Sequence, residues 1–275
     1  MLLIHVAFVA SFVVAPVNPR PHEIPIAVVG PPPAVGDVQE SVERRHPHAF
    51  SLRRFASPQG ARDALARRYV YGAFLLDAEP PQLLVASAAS PAIANLLRGA
   101  LGRLGTRPVA VRDVHPLDRG DPRGLLINLV LLPLVVTAVL APLFLRFLAP
   151  TVRGARHLLA VSAPTTALIA LRGVAGVGLG FLVFLIVGNV ASGAAGAPEL
   201  LPGFWRTVGE FLPPGAAATA LRNAAYFPAA SVIQPLAVLG TFVVVGAAVE
   251  LMLGPRQAGR ALFAGGPAAC EEVQR

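Results

Sequence analysis

The chain has 275 residues, of which 55% are hydrophobic and only 14% charged, with a mean hydropathy of +0.63; an ordinary soluble domain carries roughly 25% charged residues. All 23 basic residues are arginine, and they outnumber 15 acidic ones for a formal net charge of +8, so a Walker-type phosphate lysine, a Schiff base and a lysine general base are all excluded. The single cysteine, Cys270, excludes an intramolecular disulfide framework and CxxC metal or redox sites.

The basic excess does not read as a nucleic-acid footprint, which needs basic residues grouped on a polar surface with stacking aromatics. Here arginines flank long apolar runs, which points to a bilayer. Residues 1–15 form a short apolar N-terminal transmembrane segment without a basic leader, open to two readings: a first span whose true start lies upstream, or a signal peptide cleaved near the small residues around Ala10 to Ala15.

Residues 16–123 are expected to form an extracytoplasmic α/β domain with a mixed sheet and helices on one side. Ile24 to Gly30 reads as a compact strand stopped by Pro31, Pro32 and Pro33, and Ala49 to Phe55 as a second strand. Ser57 caps a helix over Gln59 to Tyr69. Val70 to Leu76 and Gln82 to Ala88 read as a hairpin about a Glu79, Pro80, Pro81 turn, Ser90 caps an amphipathic helix over Ala92 to Leu104, and Pro108 to Val114 is the last strand. The segment's arginines are largely offset by acids, and a solvated surface is the expectation for it. His46 and His48 are the only close histidine pair; metal sites need three or four convergent ligands, so they are expected to be loop residues and no metal is assigned.

Gly124 to Leu145 is an uncharged apolar run between Arg123 and Arg146, the length of a membrane span. Residues 146–157 then form a cytoplasmic loop with Arg146, Arg153 and Arg156 and no acid. Residues 158–190 are a transmembrane region in which 173–190 is a span and 158–171 a half-helix or second span. Gly176 and Gly180, four apart in an apolar helix, are candidate helix-packing positions, with an incidental glycine-rich helix as the equal alternative. Residues 191–231 are expected to hold two interfacial helices: Leu200 to Leu212, with Arg206 and Glu210 turned to water, and Gly215 to Tyr226, which carries Arg222, separated by Pro213 and Pro214. Residues 232–253 form a last span and 254–275 a cytoplasmic tail. The whole is an α-helical polytopic membrane protein, multi-pass in the cell membrane, with the α/β domain inserted after the first span.

Neither a G-x-S-x-G elbow nor a Ser, His, Asp arrangement on a recognisable scaffold occurs; the expectation is no enzyme, no catalytic residue and no cofactor. The stretches GVGLGFLVFLIVGNVASG and LLPGFWRTVGEFLPPGAAATALRNAAYF, together with PHEIPIAVVGPP and YVYGAFLLDAEPPQLLVASAASPAIANLL, resemble type-2 ABC exporter permeases and the related phage-infection-protein-like membrane proteins of high-GC Gram-positive bacteria. The resemblance implies a permease-like subunit of an export system, working as a homodimer in the lipid bilayer with a separate cytosolic ATPase. On that reading Arg146, Arg153 and Arg156 are candidates for ATPase docking, and Trp205, Arg206, Pro213, Pro214 and Arg222 for an outer gate. Such permeases usually have six spans and four are read here, which sets a second expectation beside the first: a non-transporting protein whose outer domain is a receptor or cell-envelope binding module.

Overall fold

The computed structural model describes residues 21–104, 107–148, 179–193, 197–201 and 203–264. Its chain divides into two units, Met1–Pro133 with Ile186–Val238, and Leu134–Leu185 with Leu239–Arg275.

The first unit is built on a five-stranded mixed sheet. Strand β1 (Ile24–Val29) leads into helix α1 (Pro32–Arg45) and strand β2 (Phe50–Arg54); helix α2 (Pro58–Ala66) returns the chain to β3 (Gly72–Leu75), which turns into β4 (Gln82–Val85). Helix α3 (Pro91–Leu101), a two-residue hairpin β5 (Arg103–Leu104) and β6 (Arg107–Pro108), and the edge strand β7 (Ala110–Asp113) complete the layer. The order is β2-β1-β3-β4-β7, all neighbours parallel except the β3–β4 hairpin.

The chain leaves β1 toward β2 on one side and then crosses back to β3 on the other. With right-handed crossovers, α1 and α2 then fall on opposite faces of the sheet. Helices on both faces replace the one-sided arrangement expected from the sequence. This is why β1 and β3 are buried almost end to end, and why IPIAVV and GAFL show no polar alternation. The core runs through Ile26, Val28, Leu65, Phe74, Leu83, Ile93 and Leu97, each fully or almost fully buried.

Helix α1 corrects the reading of Pro31 to Pro33 as a plain stop. Proline ends a strand because it cannot donate to the ladder, but it suits the first turn of a helix, where its missing N–H has no partner in any case. Pro32 and Pro33 open α1, and Val38 and Val42, one turn apart, bury its inner face. The caps read from the sequence are present: the side chains of Ser57 and Ser90 accept from Gly60 N at 3.1 Å and Ile93 N at 3.2 Å. Ser90 has no exposed surface, so its hydroxyl satisfies a helix-end amide that water cannot reach.

The same unit holds a helical segment. A 3₁₀ turn (Pro198–Leu200) precedes α6 (Gly203–Phe211) and α7 (Pro213–Tyr226), and a short helix α5 (Gly188–Ala191) packs against both. Small residues allow the contact: a Cβ at Gly209 would collide with the Ala191 carbonyl, and one at Gly215 with the Gly209 carbonyl. Pro213 and Pro214 do separate the two helices, and they do so as the opening residues of α7 with Leu212 as its N-cap.

Two long helices, α4 (Leu126–Leu148) and α8 (Ile233–Ala264), start in the first unit. A π-helical turn (Phe181–Val187) follows the buried Gly180, and within the second unit Phe184 meets Phe242 edge to face at 6.1 Å. Leu126, Leu129 and Leu134 on α4, and Ile233, Leu236, Val244 and Val245 on α8, are exposed. Apolar faces of this kind mark surfaces that are covered in the working protein.

The architecture corrects the polytopic class. Among the described residues no helix is long and apolar enough to cross a membrane. The multi-pass cell-membrane placement and the transmembrane and transporter assignments are corrected with it. The N-terminal segment 1–15, the half-helix at 158–171 and residues 265–275 of the tail lie outside the described residues, while the start of the tail, 254–264, continues helix α8.

Candidate site: a buried polar cluster between the sheet and the helical segment

The most concentrated chemistry in the described residues lies where the helical segment meets the amino ends of β1 and β3. Helix α2 ends at Ala66 with Arg67 as its C-cap, and the next residue, Arg68, takes a left-handed backbone with φ 59°. The next amides fold back on the helix, Arg68 N to the Leu65 carbonyl at 3.0 Å and Tyr69 N to the Ala64 carbonyl at 2.8 Å. Glycine usually fills such a helix-ending position, since a Cβ is crowded there. Arginine here carries a long cation away from the helix, and its Nη1 donates to Oδ1 of Asn223 on α7.

Tyr71, immediately before β3, donates its phenol to Oε2 of Glu199 at 2.6 Å. The backbone joins there as well, with His22 N donating to the Glu199 carbonyl at 3.2 Å. Asn223 bridges in turn: while Oδ1 accepts from Arg68, Nδ2 donates to the Ser231 carbonyl at 2.8 Å. Below lies Phe227, fully buried, with the His115 ring at 4.8 Å between centroids and the Arg68 guanidinium 5.6 Å above its face. The aromatic face offers the guanidinium a favourable contact where water is excluded. The Arg68 Nε is buried without a hydrogen-bond partner among the described residues.

Arg222 completes the cluster at 4% exposure. Burial, reinforced by the like charge of Arg68, brings its value down from the ordinary arginine range to about 10, against the pull of Tyr71, Glu199 and Tyr226. Burial first, then the charge of Glu199, push the Tyr71 phenol above its ordinary 10, against Arg68 and Arg222. The buried Arg222 charge is thus opposed by Arg68 and favoured by Glu199, in a setting partly shielded from water, where electrostatic terms are stronger than in bulk solvent. The arrangement holds two segments together. It contains neither a nucleophile with an adjacent base nor convergent metal ligands, and among the described residues no group of three or more His, Cys, Asp or Glu could hold a metal ion.

Alkaline pH tests the cluster. A phenol whose value is raised on folding contributes stability in full below about pH 10 and loses it above, by up to about 1.4 kcal/mol per pH unit. Arg222, with a lowered value, acts in the opposite sense over the same range, because its buried charge is relieved as pH climbs past about 10. Tyr71→Phe removes the phenol and keeps Arg222. The stability gap between the wild type and Tyr71→Phe, followed by urea denaturation from about pH 9 to 11, is expected to close as pH rises; a constant gap would show that the phenol does not titrate differently in the folded state.

The sequence-derived residues are placed as follows. Arg222 lies in the cluster, buried. Trp205 and Arg206 lie half-buried on α6, and Pro213 and Pro214 open α7. On the same stretch Phe211 is 62% exposed whereas Leu201 is buried. Arg146 is within the last turn of α4 and not in a loop; Arg153, Arg156 and Gly176 lie outside the described residues, while Gly180 is buried. His46 and His48 are exposed, as loop residues should be. Arg68, Tyr71, Glu199 and Asn223 are not among the site residues expected from the sequence. The signal that was available is Arg222 with Asn223, the only strongly polar pair in the alanine-rich helix GAAATALRNAAY.

No known protein family, no curated protein and no solved structure matches this chain. The resemblance to exporter permeases therefore rests on loose motifs alone.

Proposed function

We propose that the chain is a non-enzymatic binding module. The α/β layer is seated on the helical segment through the buried cluster and presents the opposite end of its sheet to a cell-envelope component. The observation that supports this is the winding of the sheet. It reverses about β1, and open α/β sheets bind ligands outside the carboxyl ends of their strands where the winding reverses. The cluster covers the amino ends of β1 and β3, while past the carboxyl ends of β1, β2 and β3 Pro31, Pro32, Pro33, Ala56, Ser57, Asp77 and Glu79 are all exposed.

The test is cosedimentation of the full chain with insoluble cell-wall polymer. The reading expects retention of the wild type and its loss in the double variant Asp77→Arg, Glu79→Arg, with folding unchanged. Absence of retention would overturn it. Stimulation of a co-expressed Walker-motif ATPase, without retention, would favour coupling to export instead.

A further inference from the structure

Strand β7 closes one edge of the sheet and pairs only with β4 among the described residues. The amides of Ala110 and Val114 donate to the carbonyls of Pro81 and Val85, each at 2.9 Å. Backbone groups alternate in direction along a strand, so Ala110 and Arg112 turn theirs toward β4, while Val111 and Asp113 turn their N–H and C=O outward. Ala110, Val111 and Arg112 are all exposed. This is a row of unused ladder positions, the template on which an extended segment can add as a further strand.

Charge decides the occupant. From α3 to the start of α4 the chain carries Arg98, Arg103, Arg107, Arg112, Arg119 and Arg123 against Asp113, Asp118 and Asp121. All three aspartates are engaged within the fold: Asp113 with Arg98 at 3.0 Å and with Ser87 N, Asp118 with Gly120 N at 2.7 Å, and Asp121 with Leu125 N and Leu126 N at 2.8 Å each. Arg112, on the strand itself, makes no ion pair among the described residues. A second copy of β7 is disfavoured, because antiparallel pairing through the outward groups of Val111 and Asp113 sets Arg112 opposite Arg112, and like charges directly opposite destabilise a ladder.

We propose that β7 is a docking edge for an extended acidic segment of another protein, which adds beside it with a carboxylate facing Arg112. The test uses fluorescence anisotropy of the full chain with two labelled peptides, one alternating Glu and Val and one alternating Lys and Val. The Glu/Val peptide is expected to bind the wild type and the Lys/Val peptide not to. Val111→Pro removes an outward N–H that the fold does not use, a position where an edge strand tolerates proline; it is expected to weaken the Glu/Val peptide roughly tenfold, as is Arg112→Glu. Arg112→Glu is further expected to bind the Lys/Val peptide, which decides the matter even if the proline variant fails to fold. Equal binding of both peptides, no binding of the acidic one, or a folded Val111→Pro variant with unchanged affinity would overturn the proposal. So would a wild-type dimer in sedimentation velocity that Val111→Pro abolishes, since the edge would then belong to a second copy.

Discussion

Glu199→Ala is expected to destabilise the protein by about 1–3 kcal/mol, the range for leaving a buried donor, here the Tyr71 phenol, without its acceptor. Glu199 is the carboxylate that accepts from Tyr71 and favours the charge of Arg222. Without it two cations face each other in a poorly solvated space. Glu199→Gln keeps an acceptor for the phenol and loses only the charge, so its cost should be smaller. Tyr71→Phe removes the hydrogen bond alone, worth about 1.5–3 kcal/mol when one partner is charged. Combining Tyr71→Phe with Glu199→Ala should give less than the sum of the two by about 1 kcal/mol or more, because both delete the same contact. Urea denaturation of the four proteins measures this, and additive effects would mean that the two groups are not coupled.

The second large effect is expected at Phe227. Its ring has no exposed surface, meets the His115 ring at a 36° tilt and lies under the Arg68 guanidinium. Phe227→Ala leaves a cavity of ring size beneath the cluster, and such truncations cost about 3–5 kcal/mol. Phe211, on the adjacent helix but 62% exposed, is the control: Phe211→Ala should change stability by no more than about 0.5 kcal/mol. A Phe227→Ala protein as stable as the Phe211→Ala one would contradict the placement of Phe227 in the core.

These two positions differ sharply in how readable they are from sequence. The strands of the α/β layer declare themselves through compact apolar runs such as IPIAVV, and the caps at Ser57 and Ser90 through local spacing. Interactions that span three or four residues leave a pattern in a linear text. Helix α1 was hidden because its opening prolines also end the preceding strand, and both meanings fit the same residues. The cluster was hidden for a different reason. Tyr71 and Glu199 are 128 positions apart, and Arg68 and Asn223 are 155 apart, so no spacing links them. Arg222 was visible as a charge in an apolar helix, but a lone arginine there reads equally as a surface residue. Only the fold, which folds α7 back against the amino ends of β1 and β3, turns it inward.

The exposed apolar residues on α4 and α8 carry the same lesson at larger scale. Hydropathy marks Leu126, Leu129, Val244 and Val245 as residues that avoid water, and their exposure agrees that something must cover them. Hydropathy alone does not distinguish the chemistry of that cover.

The central claim is that the α/β layer and the helical segment from Ala197 to Phe227 are one cooperative body, joined through the buried cluster. Native-state hydrogen exchange on the wild type and Phe227→Ala tests it most directly, read at the amides of β3 (Gly72–Leu75) and of α7 (Pro213–Tyr226). One body predicts that protection falls at both sets together and by a similar factor, since cooperative units open as wholes. Loss of protection confined to α7, with β3 as protected as in the wild type, would contradict it.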